Sequence, residues 1–183
     1  WDIPLIKEAS TLRKDFDWDS LSEHTRLPWS AELIDTFSER LNWKVLSNNT
    51  SLPWSAELID AYPEKWLWNN WLVNYELKHH APIFTKDDCA IAGGGLSKNS
   101  AISWTPDLLR KYAPNLDWFA LSLNSEGNLS WSLELIEAFE DFWKFDYLSR
   151  NPSLPWSISL IRKYENRWDW GELLSNSAIR NSP

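Results

Sequence analysis

The nine-residue string LPWSAELID occurs twice in this chain, at Leu27–Asp35 and at Leu52–Asp60, 25 residues apart. Weaker copies open at residues 103, 130 and 155 and read SWTPDLLRKY, SWSLELIEAF and PWSISLIRKY. The opening residues WDIPLIKEA fit the same alignment. A repeat of this length is typical of chains in which each unit buries its apolar side against its neighbours. We therefore interpret the 183 residues as one tandem-repeat domain.

Tryptophans mark the units, since all 15 except Trp71 fall into three columns. The first column opens the units and comprises Trp1, Trp29, Trp54, Trp104, Trp131 and Trp156. The second column lies 14 residues later in most units and comprises Trp18, Trp43, Trp68, Trp118, Phe145 and Trp170. The third column lies two residues before the second and contains Trp66, Trp143 and Trp168. Columns this regular indicate repeated core positions.

The 50 residues between Trp54 and Trp104 equal two periods, which predicts a further, degenerate unit between them. The stretch PIFTKDDCAIA at 82–92 aligns with LPWSAELIDA when Phe84 takes the place of the tryptophan. The sequence thus predicts about seven units of roughly 25 residues, starting near residues 1, 29, 54, 84, 104, 131 and 156.

The unit that opens at Trp29 shows the plan. Ser30 directly precedes a helical run and is a favourable N-cap. Leu33, Ile34 and Phe37 then fall on one face of a helix, where Trp29 joins them. A short turn of the form W-x-x-L-S follows, and a loop returns the chain to the next tryptophan.

Equivalent patterns predict first helices near residues 31–40, 56–62, 106–112, 132–142 and 157–165. A single helix cannot bury its apolar stripe, so the units are expected to stack on one another. The predicted fold is an all-α solenoid of short helices.

Asparagine recurs at one loop position of the units. The column comprises Asn49, Asn99, Asn124 and Asn151, with His24 and Ser177 as substitutes. An asparagine side chain offers both a donor and an acceptor, which suits bonds to loop backbone. A column of ligand-binding amides is the alternative interpretation.

The string PWSAELID, the pairs Trp66/Trp68 and Trp168/Trp170, and the motifs LSKN and LSRN resemble a tryptophan-rich tandem repeat of uncharacterised bacterial and giant-virus proteins. The resemblance covers nearly the whole chain, and the segment 71–92 departs from it. It implies a repeat architecture and supplies no activity.

Composition excludes several function classes. The formal net charge of −8 argues against a general nucleic-acid binder and against an anionic membrane surface. The single cysteine excludes an internal disulfide framework. No apolar run approaches the ~20 residues that span a bilayer.

Candidate chemistry is confined to the predicted degenerate unit. His79, His80, Asp87, Asp88 and Cys89 lie close together in sequence, but no metal or nucleophile motif spaces them. A metal site or an enzyme at His79, His80 and Asp87 is one alternative. The interpretation we favour has no catalysis, cofactor or metal.

Sequence columns that repeat have a structural role, whereas outward columns that vary between units can determine binding specificity. The charge of the outward helix positions changes sign from unit to unit, which does not match a uniform ligand. The predicted partner-binding residues are Asp35, Asp60, Arg110, Lys111, Glu137, Arg162 and Lys163. The hypothesis is a non-catalytic scaffold for another protein or for flanking domains of a parent chain. A carbohydrate-binding array with exposed aromatics and a merely solvated face are the alternatives.

Overall fold

The computed structural model of the chain describes residues 1–68 and 95–180. Within these residues the chain is helical without any β-strand, and one isolated bridge pairs Trp104 with Leu129. The helices are Ile3–Leu12, Trp18–Glu23, Ala31–Thr36, Trp43–Leu46, Ala56–Ala61, Pro106–Tyr112, Trp118–Ser122, Leu133–Ala138, Phe145–Leu148, Ile158–Lys163, Trp170–Ser175 and Ser177–Arg180, with a 3₁₀ turn at Leu96–Lys98. The all-α prediction is confirmed for the described part of the chain.

The first helix of each unit begins where its polar cap predicts. Ser30 Oγ accepts the Leu33 N–H at 3.2 Å. The equivalent caps are Asp2, Ser55, Thr105, Ser132 and Ser157. Each cap satisfies one of the backbone donors that a helix start leaves without an intrahelical partner.

Three of the first helices are shorter than predicted. They end at Thr36, Ala138 and Lys163, not at residues 40, 142 and 165. The next residue in each case is an aromatic that leaves the helical conformation, as Phe37 does with φ −115° and ψ 17°. The Phe37 carbonyl then accepts the N–H groups of Arg40 and Leu41 at 2.8 and 3.0 Å. This extra turn places the Leu41 side chain in the core.

Two rows of core residues recur from unit to unit. One row comes from the first helices and contains Ile6, Ile34, Ile59, Leu109 and Ile136. The other comes from the short second turns and contains Leu46, Leu96, Leu121 and Leu148. All of these side chains are completely buried. Helices of four to seven residues are not stable alone, so packing between units holds most of them in place.

The short turn of one unit is assembled from two separate stretches of sequence. The Leu96 N–H donates to the Leu67 carbonyl at 2.8 Å, and Ser97 Oγ donates to the Trp68 carbonyl at 2.8 Å. In a regular unit the same bond spans four residues, from Ser47 Oγ to the Trp43 carbonyl at 2.7 Å. Trp68 and Leu96–Asn99 therefore complete the unit that opens at Trp54.

Glycine is required where the chain re-enters this turn. Gly95 has φ 91°, and a Cβ built on it would lie 2.3 Å from the Leu67 carbonyl oxygen. Its N–H donates to Asn48 Oδ1 at 2.7 Å. No other residue type fits this approach without movement of the backbone.

The unit that opens at Trp104 contacts this assembled unit directly. The Asp117 N–H donates to Ser97 Oγ at 2.9 Å, and the Tyr112 hydroxyl donates to Asp60 Oδ1 at 2.6 Å. The predicted unit near residue 84 lies outside the described residues, as do Trp71, His79, His80, Asp87, Asp88 and Cys89. Its existence stays a prediction.

Candidate functional site

A buried serine in five of the described short turns connects consecutive units. These ladder serines are Ser22, Ser47, Ser97, Ser122 and Ser149, each at most 1 % exposed. Ser22 Oγ donates to the Trp18 carbonyl at 2.7 Å and accepts the Asn42 N–H of the next unit at 2.9 Å. The other four ladder serines also accept a backbone N–H of the next unit. The donors are Leu67, Asp117, Lys144 and Asp169. The recurring LS motif marks this position in the sequence. The hydrogen bond from the serine to the next unit was not predicted from the sequence.

The loop asparagines form a second set of bonds between units. Asn49 Nδ2 donates to the Ser22 carbonyl of the preceding unit at 2.9 Å, and its Oδ1 accepts the Ser51 N–H at 2.9 Å. The same two bonds recur at Asn99, Asn151 and Asn176. The loop-bonding interpretation is confirmed at Asn49, Asn99 and Asn151. At these positions the amide is committed to backbone.

Two predicted members of the column behave differently. Asn176 takes the position predicted for Ser177. Asn124 Oδ1 is buried without a hydrogen-bond partner among residues 1–68 and 95–180, whereas Asn128 Nδ2 donates to the Ile102 carbonyl of the preceding unit at 3.0 Å. The loop after Asn124 is two residues longer than its counterparts, and this difference in length moves the bonding amide to Asn128.

His24 substitutes for asparagine as predicted. Its Nδ1 accepts the Arg26 N–H at 3.1 Å, the counterpart of the Asn49 Oδ1 bond. Its carbonyl accepts the Trp29 indole N–H at 2.8 Å. The role of His24 in this structure is therefore a local loop bond.

Many of the indole N–H groups donate to backbone carbonyls within the fold. Trp54 Nε1 donates to the Asn49 carbonyl at 2.9 Å, and Trp43 Nε1 donates to the Ser38 carbonyl at 2.8 Å. Described column tryptophans are buried or half-buried, except at the two ends, where Trp1 and Trp170 are 57 % and 49 % exposed. The rings mostly pack against each other, as Trp43 does on Trp66 with ring centres 4.6 Å apart.

Most of the predicted partner-binding residues contact other residues of the chain. Asp60 accepts from Lys111 Nζ at 2.8 Å and from the Tyr112 hydroxyl, both in the next unit. Glu137 forms an ion pair with Lys163 of the next unit. These pairs account for part of the alternation of charge along the outward columns.

The remaining three candidates, Asp35, Arg110 and Arg162, differ in the contacts that they make within the chain. Asp35 Oδ1 accepts the Tyr62 hydroxyl of the next unit at 3.0 Å. Arg110 pairs with Asp107 of its own helix at 2.9 Å, with both side chains largely exposed. Arg162 has an exposed side chain that makes no ion pair or hydrogen bond with the described residues.

Two tyrosines that donate to acidic side chains of the preceding unit have raised pKa values. Burial, reinforced by the hydrogen bond to Asp60, raises the pKa of Tyr112 to about 12. Burial and the hydrogen bond to Glu140 raise the pKa of Tyr164 to about 12. Hydrogen bonds from Lys111 and Tyr112 lower the pKa of Asp60.

Equivalent surface grooves lie between neighbouring first helices at two places. One groove of about 680 Å³ lies between the helices Ala31–Thr36 and Ala56–Ala61. Another of about 450 Å³ lies between Pro106–Tyr112 and Leu133–Ala138. We call them the inter-helix grooves. Their matching residues are Trp29 and Trp104, Ser30 and Thr105, Asp35 and Arg110, Ser55 and Ser132, Glu57 and Glu134, Leu58 and Leu135, and Ala61 and Ala138.

The inter-helix grooves carry opposite charges at one equivalent position. Asp35 occupies in the first groove the place that Arg110 occupies in the second. Tryptophan, leucine and alanine side chains line both grooves at equivalent positions, whereas Pro53 and Tyr62 line only the first groove and Pro106 stands in the second where Ala31 stands in the first. Of the predicted candidates, Asp35 and Arg110 are the pair that lines equivalent recesses.

In residues 1–68 and 95–180, no group of three histidine, cysteine or acidic side chains is close enough to hold a metal ion. None of the helices described is long and apolar enough to cross a membrane. Comparison of the chain with protein-family models, with curated proteins and with solved structures finds no match. The resemblance to tryptophan-rich repeat proteins therefore stays a prediction.

Proposed function

We propose that the chain is a solenoid of stacked units and that it acts as a non-catalytic scaffold, binding another protein through its inter-helix grooves. The observation that carries the proposal is the pair of equivalent grooves, which share tryptophan, leucine and alanine positions and exchange Asp35 for Arg110. Recesses that share these positions but differ in charge suit a set of binding positions with different specificities.

The repeated bonds between units support the solenoid. The ladder serines and the loop asparagines connect each described unit to its neighbour over sequence separations of 20 to 29 residues in the uninterrupted part of the chain. Regular stacking places the outward positions of successive units side by side, which creates an extended surface. The proposed stack has six units, which open near residues 1, 29, 54, 104, 131 and 156, because the unit that opens at Trp104 contacts the unit that opens at Trp54 directly. A seventh unit near residue 84 stays a prediction.

The grooves suit a segment of protein chain. Each offers apolar side chains, such as Leu58 and Ala61, beside the hydroxyl groups of helix caps, such as Ser30 and Ser55. Such a surface can bury side chains of a peptide and bond its polar groups. The charge at Asp35 or Arg110 would then favour a partner side chain of opposite sign.

The outward residues that form ion pairs between neighbouring units have a different part in this proposal. Asp60, Lys111, Glu137 and Lys163 connect neighbouring units, and their charges are partly neutralised there. Asp35, Arg110 and Arg162 are the candidates we place in direct contact with a partner.

A carbohydrate-binding array receives less support. Sugar platforms need rings open to solvent, whereas Trp29 and Trp104 are 8 % and 3 % exposed. Their indole faces are covered by the units around them. The metal or enzyme alternative depends on residues 79–89, outside the described part of the chain.

Selection from a displayed library of random peptides tests the proposal. Peptides that bind the purified chain should compete for the grooves and lose about tenfold or more in affinity when Ala61→Trp or Ala138→Trp fills a groove. Thr50→Trp, at an exposed loop position, is the matched control and should leave binding unchanged.

Charge reversal provides the second arm of this experiment. Asp35→Arg should weaken peptides selected by the first groove, and Arg110→Asp should weaken those selected by the second. Failure to enrich any peptide, or equal binding to the filled and open grooves, would show that the grooves are only solvated surface.

A further inference from the structure

A lysine side chain bridges the boundary between the helices Ala56–Ala61 and Pro106–Tyr112. Lys111 Nζ lies 2.8 Å from Asp60 Oδ2, and the Tyr112 hydroxyl donates to Asp60 Oδ1 at 2.6 Å. The same ammonium group lies over the Tyr112 ring, 5.4 Å from the ring centre. A carboxylate and the face of an aromatic ring both attract an ammonium group, so this boundary forms a site for a lysine side chain.

The boundary between the helices Leu133–Ala138 and Ile158–Lys163 has a similar arrangement. Lys163 forms an ion pair with Glu137, and its ammonium group lies 5.6 Å from the centre of the Tyr164 ring. Lys163 directly precedes Tyr164, as Lys111 directly precedes Tyr112. The combination of an acid on one helix with a lysine and a tyrosine on the next therefore recurs.

The first inter-helix groove has the acid and the tyrosine of this site, but it has no lysine. The Tyr62 hydroxyl donates to Asp35 Oδ1 at 3.0 Å, the counterpart of the bond from Tyr112 to Asp60. Alanine occupies position 61, directly before this tyrosine, and Asp35, Ala61 and Tyr62 all line the groove. In the described part of the chain, Asp35 Oδ2 has no hydrogen bond or ion pair.

The tyrosine hydroxyl keeps its proton at neutral pH. Burial, reinforced by the hydrogen bond to Asp35, raises the pKa of Tyr62. The hydroxyl therefore stays a donor to Asp35 Oδ1, which leaves Oδ2 as the oxygen that faces a further donor.

The second inter-helix groove lacks these features. Arg110 stands there in the place of the acid, and Phe139 stands in the place of the tyrosine. The guanidinium carbon of Arg110 lies 5.8 Å from the centre of the Phe139 ring. An ammonium group at this boundary would meet a positive charge, so the second groove serves as an internal control for the first.

We infer that the first inter-helix groove recognises a lysine side chain of the partner protein, with its ammonium group on Asp35 Oδ2 and over the Tyr62 ring. The partner would supply at this boundary the group that Lys111 and Lys163 supply at two others. The small side chain of Ala61 leaves that place to an incoming residue. This inference rests on the proposal that the grooves bind a segment of another protein, and it names the side chain that one groove selects.

The geometry favours lysine over arginine. An arginine guanidinium binds a carboxylate best through both oxygens, whereas a lysine ammonium acts as a point charge. The Tyr62 hydroxyl already occupies Asp35 Oδ1. The remaining oxygen suits a single ammonium contact, as it does between Lys111 and Asp60.

Two displayed libraries of short peptides provide the test. Both libraries are random except at a central residue, which is lysine in one and glutamine in the other, and both are selected on the purified chain. Peptides that lose affinity with Ala61→Trp bind in the first groove. We expect them to come mainly from the lysine library. Replacing their lysine with glutamine should weaken binding about fivefold or more, since a carboxylate contact and a cation–π contact are lost.

Variants of the chain identify the groups that make the contact. Asp35→Asn removes the charge but keeps an oxygen for the Tyr62 hydroxyl, and Ala61→Lys supplies an internal lysine as Lys111 does. Both should weaken the lysine peptides about fivefold or more while circular dichroism and thermal unfolding match the original chain. Ala138→Lys is the matched control, because it adds the same side chain to the second groove beside Arg110, and it should leave their affinity unchanged.

The possible failures of the inference and of the proposed function can be distinguished. Peptides that bind the first groove equally well with lysine or glutamine, or that keep their affinity for Asp35→Asn, would overturn the inference and leave groove binding intact. If Ala61→Trp displaces no peptide of either library, the inference fails together with the use of the first groove as a binding site. Peptides displaced by Ala138→Trp would then still support binding in the second groove.

Discussion

Asn151 and Ser122 lie 29 residues apart in sequence, and Asn151 Nδ2 donates to the Ser122 carbonyl at 2.9 Å. The same amide nitrogen donates to the Asn124 carbonyl at 2.8 Å, while Asn151 Oδ1 accepts the Ser153 N–H at 2.9 Å. One buried side chain thus joins two units and shapes its own loop. Ser122 contributes a second bond across the same boundary, because its Oγ accepts the Lys144 N–H at 3.0 Å.

Asn151→Leu should lower the free energy of unfolding by ~1–3 kcal/mol, because it leaves buried carbonyl and N–H groups without their partner. Urea denaturation followed by tryptophan fluorescence measures the change. Asn124→Leu is the control, since the Asn124 Oδ1 already has no partner, and it should cost less. Equal losses for the two variants would show that the bonds between units are not the source of the effect.

Ser122→Ala should also destabilise the chain, by ~1–3 kcal/mol, because the half-buried Lys144 N–H loses its acceptor. Ser125→Ala, at an exposed position of the next loop, should change the free energy of unfolding by less than ~0.5 kcal/mol. Hydrogen exchange at the Lys144 amide gives a local readout and should become faster in Ser122→Ala only. Unchanged exchange at that amide would contradict the assigned bond.

Trp66→Ala should cost ~3–5 kcal/mol, the usual range for removal of a large buried aromatic. The Trp66 side chain is 4 % exposed, packs on Trp43 and Trp54, and donates its indole N–H to the Ile59 carbonyl at 3.2 Å. Trp1→Ala should cost much less, because that ring is 57 % exposed. Chemical denaturation that gave small losses of the same size would refute a core role for the tryptophan columns.

Alkaline pH should weaken the fold through Tyr112 and Tyr164. Their pKa values are about 12 in the folded chain, above the ordinary tyrosine value of 10.0, so the folded state holds these protons more tightly. The resulting stability is fully present below pH 10 and is lost as the pH rises from 10 towards 12. Tyr112→Phe with Tyr164→Phe should flatten this part of the stability profile, measured by denaturation at each pH. Spectroscopic titration that showed no tyrosine ionising above pH 11 would contradict the raised pKa values.

Much of this architecture could be predicted from the amino-acid sequence alone. The caps at Ser30 and its equivalents, the apolar rows and the bonding role of Asn49 all depend on residues close in sequence. Local preferences of this kind act within one turn of helix or one loop, so a repeated string reveals them directly. The all-α class followed from the same periodicity.

Other features depend on how neighbouring units are placed. The bond from the Asn42 N–H to Ser22 and the junction at Trp68 and Leu96 join residues far apart in sequence. The grooves that place Asp35 and Arg110 at equivalent positions also form only between neighbouring units. The early ends of the first helices were not predicted, because the same apolar spacing fits a continued helix or a turn. The shift of the bonding amide from Asn124 to Asn128 was not predicted either. Sequence by itself determined what each unit is made of. The tertiary structure decided which groups of adjacent units meet, because a hydrogen bond between distant residues exists only once packing has brought its donor and acceptor together.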